Sequence, residues 1–391
     1  MKRQRESERD INDIDRLSDL PDFVLLHIME FMDIKDVVQT CILSKRWKNL
    51  WKSMTNLTLH CLDDGRTSTR VSPLEDTDQT CILSFSKFVS RILSDRDGSL
   101  PLQHLDFAHR DTPEITLLEV MEYAASHNVQ QFRFRVEFDP PHTFELPLSI
   151  FCCRSLTFLK LDFWIFSSAN NKVKFPKSMN LPALKSLHVA FVTFTTNDDG
   201  CVEPFSTCKM LNTLLVVNCY LQHDAQALYI TNSNLSTLTI GSSFMYQGTH
   251  HYKVVLSTPK LSSITIRGRP IYQVSSVCNL PFLEKAKINI FWNPYIKEDL
   301  VAIRRGLVVI SWLHVFDNVK IMTLTSMTLQ LLKRLSNHGS MKIQHPCFSR
   351  LKSVEVERGP LPMALDDKGI STVKYLLQNS PLANVDIITC S

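Results

Sequence analysis

The chain has 391 residues, 44% of them hydrophobic, enough to bury a sizeable core and to fill two or three domains. Its net charge of +4 is too small to argue by itself for nucleic acid or an anionic membrane, and ten glycines leave little material for phosphate-cradling loops. Eleven cysteines without paired spacing read as free, mostly buried thiols of a reducing compartment.

Residues 1–14 are charged throughout and have no apolar run, so they read as a disordered polar tail rather than a secretory signal. The longest apolar stretches, around residues 23–32 and 307–316, fall well short of the roughly 20 residues that span a bilayer. The expectation is a protein of the cytoplasm or nucleus with no membrane contact.

Residues 15–59 have a helical pattern. Pro21 and Asp22 suit the start of a helix, because proline lacks a donor that the first turn cannot use. Phe23, Leu25, Leu26, Ile28, Met29 and Met32 then give it more apolar surface than one core-facing stripe needs. Asp33 and Asp36 stand at capping-box spacing before a second helix, and Ser44 reads as the N-cap of a third. Trp47, Leu50 and Trp51 fall on one face of that third helix, with Lys45, Arg46 and Lys48 off it. Three short helices bury little area alone, so this block needs a partner surface or an adjoining domain.

The segment "DRLSDLPDFVLLHIMEFMDIKDVVQTCILSKRWKNLWKSMTNL" resembles an F-box of the plant type, from its Asp-Arg and Leu-Pro openings to its closing Ser-Lys-Arg-Trp. Phe23 stands where that family usually has an acid, and Asp33 where it usually has proline. The resemblance implies a three-helix domain that binds a Skp-family adaptor and, through it, a cullin. Leu20, Pro21, Leu25, Ile28 and Met32 would meet the adaptor, and Trp47 and Leu50 would form the domain's core.

A polar stretch makes residues 60–80 a linker. Beyond it the frame apolar-x-x-apolar-x-apolar recurs, starting at residues 102, 129, 156, 184, 211, 235, 261, 283, 316, 351 and 382. Each copy alternates like a strand with one buried face. Residues 81–344 therefore resemble a leucine-rich-repeat region, interrupted by helices over 82–96 and 112–129. The Asn or Cys expected after each frame is clear only at Cys219, which predicts irregular curvature. Residues 345–391 resemble the C-terminal repeats of plant F-box proteins of the FBD class. The fold class is accordingly α/β: a three-helix F-box followed by an irregular leucine-rich-repeat solenoid with parallel strands.

No phosphate loop, nucleophile elbow or zinc-type spacing occurs, so neither metal, cofactor nor catalysis is expected. Outward positions of the frames carry Arg133, Arg135 and Lys160, then Arg267, Lys285 and Lys287. These are candidate contacts for an acidic or phosphorylated target, since the guanidinium fork suits carboxylate and phosphate. The leading expectation is a substrate receptor of a Skp–cullin–F-box ubiquitin ligase, its target protein unidentified. The alternatives are a nucleic-acid-binding or a small-molecule-sensing repeat protein, with nucleic acid the less favoured partner.

Overall fold

The structure is a computed structural model that describes residues 17, 19–61, 76–110, 112–137, 143–164, 173–196, 200–222, 225–242, 252–291, 299–337, 346–357, 372–374, 376–378 and 386–390. The expected tail, most of the linker and most of the C-terminal region lie outside them. Helix α1 (Asp22–Met29) follows Pro21, and α2 (Ile34–Gln39) is capped by Asp33, whose carboxylate accepts the Lys35 amide at 2.9 Å. Helix α3 (Trp47–Leu50) is a single turn continued by a 3-10 turn, Trp51–Ser53. Ser44 does not cap it: the residue before the helix is Arg46, with no side-chain cap.

Arg46 is exposed, as its sequence position suggests, but it also has a structural task. Its Nε donates to Asp22 Oδ1 at 2.7 Å and its Nη2 to the Leu20 carbonyl, so it ties the start of α3 to the start of α1. Trp47, Leu50 and Trp51 are buried together with Leu25, Met29, Ile34 and Val37.

Twelve parallel strands then form one sheet in chain order: β1 (Asn56–Cys61), β2 (His104–Arg110), β3 (Gln131–Glu137), β4 (Phe158–Trp164), β5 (Ser186–Ala190), β6 (Thr213–Val217), β7 (Thr237–Gly241), β8 (Ser263–Gly268), β9 (Lys285–Ile290), β10 (Ile321–Thr325), β11 (Ser353–Glu357) and β12 (Asp386–Cys390). Period-two alternation buries one face of most strands, as in β4, where Leu159, Leu161 and Phe163 point inward, while in β10 every residue from Met322 to Thr325 is buried. A continuous backbone chain sets the register at the strand starts. Gln103 N–H donates to Thr55 O at 2.8 Å, Gln131 to Gln103, Thr157 to Gln130 and Lys185 to Thr157, and the pattern runs on to Lys352 donating to Lys320.

Two frames need correction. The ninth copy starts at Val319, not at 316: Val319, Met322 and Leu324 are buried, and Met322 pairs with Ala286. Lys320 therefore sits in the turn before β10, where its ammonium meets Glu284 at 2.6 Å, and not on the open face. The last copy is displaced by two, because Ile387, rather than Val385, lies opposite Val354.

Behind the main sheet run two small parallel sheets. Phe144–Glu145, Val173–Phe175, Thr193–Phe194 and Tyr220–Leu221 form one; Ala227–Thr231, Lys253–Ser257 and Gln273–Ser276 form the other. Phe151, Phe175, Phe194 and Phe205 stack edge to face between repeats at centroid distances of 5.1–5.7 Å. Helices α4 (Asp76–Asp95) and α5 (Glu114–Ser126) pack on each other, and α6 (Asp299–Val315) packs on α7 (Ser326–Asn337) and the second small sheet. Cys219 is buried, with Sγ near the Val189 and Val217 carbonyls; burial pushes its thiol up to about 12, so it packs and does not react. No helix among the described residues is long and apolar enough to cross a membrane.

Candidate functional site

Two surfaces stand out, one on the helical block and one on the open face of the sheet. Helix α1 is apolar on two sides. Leu25 and Met29 are fully buried against α2 and α3, with Leu20 and Met32 half-buried. The other side presents Phe23 and Phe31, 72% and 81% exposed, with Pro21 and Ile28 also exposed. Phe31 stacks edge-on with His27, one turn back, at 5.1 Å. Ile42, 87% exposed, and Leu43 extend the apolar surface after α2. Of the expected adaptor contacts, Pro21 and Ile28 face outward, while Leu25 belongs to the domain's own core. The exposure of Phe31 was not foreseen, because continuous apolarity along α1 gives no phase by which to tell its two sides apart, and Ile42 and Leu43, after α2, carry no periodic signal at all.

The open face of the sheet is read as rows across the strands. One row runs Thr58, Asp106, Arg133, Lys160, His188, Leu215, Thr239, Thr265, Lys287, Thr323, Glu355. The next runs His60, Ala108, Arg135, Asp162, Ala190, Val217, Gly241, Arg267, Asn289, in the same registers, and Thr325 pairs with Glu357 further along. Arg133, Arg135 and Lys160 therefore cluster at β3–β4, and Arg267, Lys285 and Lys287 at β8–β9. Small and apolar residues separate the two groups by four strand steps, about 19 Å at roughly 4.8 Å each.

Neither group is a bare stack of cations. Arg133 Nη1 lies 3.0 Å from His104 Nε2 and 3.9 Å from Asp106, and its guanidinium rests 5.1 Å over the Phe158 ring. His60 Nε2 meets Asp106 at 3.0 Å. Arg133 can donate to His104 only while that ring nitrogen keeps its lone pair, and burial with the Arg133 charge holds the His104 pKa below its ordinary value. Burial alone would raise the Asp106 carboxyl, but the hydrogen bond from His60 and the charges of His60, Arg133 and His104 bring it down on balance. Lys287 reaches across β10 to Glu357 at 2.7 Å, and Thr323 donates to Glu355 at 2.9 Å. One cation of each group, Arg133 and Lys287, is thus paired within the sheet. Arg267 lies over Gly241, where a side chain would collide with it.

Asp162 differs from its neighbours. Its Oδ1 is buried with no hydrogen-bond partner, and burial raises its pKa although Lys160 and Arg135 oppose the rise. Arg135, opposite it, is exposed, and among the described residues no carboxylate lies within 4 Å of its guanidinium.

The helical block and the sheet are one continuous piece. Asn56 and Leu57 start β1, so the last residues of the block are the first strand, and Met54, Leu57 and Leu59 already match the repeat frame. Arg96, buried just after α4, donates through Nε to Met54 O at 2.8 Å and through Nη2 to Leu100 O and Pro101 O at 3.1 Å, with Nη1 3.3 Å from Tyr123 Oη on α5. The Asp97 amide reaches Lys52 O at 2.9 Å, and Asn56 Nδ2 reaches Glu30 at 2.8 Å.

Comparison with known proteins gives the same two modules. Residues 17–59 match the F-box domain, and residues 117–284 match the family described as "FBD-associated F-box protein At5g56370, LRR repeats". Among curated relatives from Arabidopsis thaliana, F-box/LRR-repeat protein At4g14103 is 26% identical over 381 residues, covering 94% of this chain and 89% of that protein. F-box/LRR-repeat protein At3g26922 is 27% identical over 309 residues, covering 78% and 92%. F-box/FBD/LRR-repeat protein At1g78750 is 24% identical over 361 residues, covering 88% and 72%.

Proposed function

We propose that this chain, which carries an F-box followed by leucine-rich repeats and is similar to plant F-box/LRR-repeat proteins, is the substrate-recognition subunit of a Skp–cullin–F-box ubiquitin ligase. The F-box holds a Skp-family adaptor, and through it a cullin, while the open face of the repeats holds the target protein. The chain itself performs no catalysis; it sets which protein is brought to the ligase, in the cytoplasm or nucleus.

The observation that carries this reading is the second, outward apolar side of the helical block. Phe23, Phe31, Ile42 and Leu43 are exposed on a domain whose own core, built on Leu25, Met29, Trp47 and Trp51, is already closed. Large apolar side chains gathered in water on so small a unit are the mark of a surface that another protein covers. The repeat face supports the other half, because it is long, open and lined by polar groups held in fixed registers.

Co-expression with a Skp-family adaptor tests it. Wild-type chain is expected to co-purify with the adaptor, and Phe31→Asp and Ile42→Asp are expected to lose it at least tenfold, since each places a charge in a dry interface. Both residues are exposed, so circular dichroism of the variants should match wild type. Adaptor capture that survives both substitutions overturns the reading. A chain that binds single-stranded oligonucleotides with a steep salt dependence, and no adaptor, overturns it in favour of nucleic-acid binding.

A further inference from the structure

Among the described residues the open face has a hollow of about 120 Å³, at the C-terminal ends of β2, β3 and β4. Its cause is a small residue. Ala108 stands in the row between His60 and Arg135, and two residues further along each strand the longer Arg110, Glu137 and Trp164 rise around the gap it leaves. The floor is firm: His109 is buried and stacks on Phe85 at 4.3 Å, and its Nδ1 meets Thr112 at 2.7 Å. The wall is in part apolar: Trp164 is 45% exposed, and its ring lies 5.8 Å from that of Phe191.

Size and charge narrow the occupant. Drug-sized ligands and cofactors fill pockets of roughly 300–1,000 Å³, whereas a cavity of about 150 Å³ admits a single benzene ring. A hollow of this volume takes one side chain. On its rim Arg110 is already paired with Glu137 at 2.5 Å. Among the described residues Arg135 is not so paired, and Asp162, opposite it on β4, is pushed toward its neutral form by burial. An apolar hollow beside an exposed guanidinium fits an apolar residue with a carboxylate next to it.

We infer that this hollow docks one aliphatic or aromatic side chain of an acidic target segment, whose adjacent Asp or Glu pairs with Arg135. The inference rests on the reading of the open face as the target surface, and it names the chemistry that the face selects. Arg133, locked to His104, Asp106 and Phe158, contributes a rigid neighbour and not the anion contact. The basic group around Lys285 lies outside the contact.

The test is an immobilised array of peptides Gly-Ser-X-Z-Ser-Gly, with X any residue and Z either Asp or Asn, probed with the full-length chain. Signal is expected where X is Leu, Met or Phe and Z is Asp, and it should fall about tenfold with Asn, the scale of one charge-assisted hydrogen bond. Arg135→Gln should lose the preference for Asp over Asn. Ala108→Leu, which fills the hollow and leaves every charge in place, should lose the preference for large X. Lys285→Glu should change neither, and Trp164→Ala gives a second probe of the apolar wall should Ala108→Leu fail to fold. Equal signals for Asp and Asn peptides overturn the inference, as does a pattern unchanged in Arg135→Gln, or displacement of the peptides by an oligonucleotide at matched charge. Adaptor capture by the same proteins is read in parallel: its loss with the peptide pattern intact overturns the ligase reading alone, and a flat peptide pattern with adaptor capture intact overturns the hollow alone.

Discussion

Arg96 shows how much one residue can hold. Arginine is rarely fully buried, because its charge needs a partner for each donor. Here the guanidinium serves carbonyls from the end of the F-box and from the turn before β2, together with a hydroxyl on α5. Replacement by Met fills much of the volume but strands several buried carbonyl oxygens. Arg96→Met should lower stability by about 3 kcal/mol or more, read as a drop in the denaturant midpoint, and the exposed Lys285→Glu should move it by less than about 0.5 kcal/mol. Nothing in the sequence marks Arg96 for this task. It follows a polar turn of α4, and only the fold brings three separate segments around it. The structural task of Arg46 was missed for the same reason, since its partner Asp22 lies 24 residues away.

The repeat strands were legible because each must bury three apolar residues at fixed spacing, whatever surrounds it. Where two apolar triads overlap, spacing alone cannot choose. Phe316 directly follows α6 and is as buried as Val319, so the triad beginning at either looks sound, and only the pairing of Met322 with Ala286 decides. The frame at Met54 was hidden inside a segment that reads as helical. The first small sheet left no sequence trace, since strands of two or three residues are too short to show alternation. At the other end of its strand, β8 depends on a backbone that only glycine adopts freely. Gly268 has φ of +97°, and a Cβ there would stand 1.8 Å from the Ser242 carbonyl oxygen. Ser242 in turn accepts the Arg269 amide at 2.7 Å through its hydroxyl and donates its own amide to Arg267 O at 3.0 Å. Gly268→Ala should therefore cost at least about 2 kcal/mol. Thermal melts followed by circular dichroism would check it, with Gly200→Ala as comparison: that glycine also has positive φ, but its Cβ would meet nothing within 4 Å.

In the whole molecule the F-box and the repeats share β1, and this decides where the chain can be cut. A fragment beginning at Leu62 removes β1 and leaves β2 as a bare parallel edge, with Leu105 and Phe107 stripped of Leu57 and Leu59. A fragment beginning at Met54 keeps that strand and the Thr55 carbonyl that starts the backbone chain. The longer fragment should elute as a monomer in size-exclusion chromatography and the shorter one should aggregate; equal behaviour would mean that β1 is dispensable.

The same continuity acts at a distance from the site. Because no flexible tether separates the F-box helices from the first strand, every place on the open face stands at a fixed offset from the F-box, stepped by roughly 4.8 Å per strand. The hollow at β2–β4 lies among the first strands, close to the F-box. In a ligase built on this chain, the molecule works as a gauge: the strand on which a target is seated sets how far its lysines stand from the ubiquitin-carrying end of the assembly. Two targets held with equal affinity on β3 and on β9 would present different lysines, and the pattern of modified sites would report the strand to which each was bound.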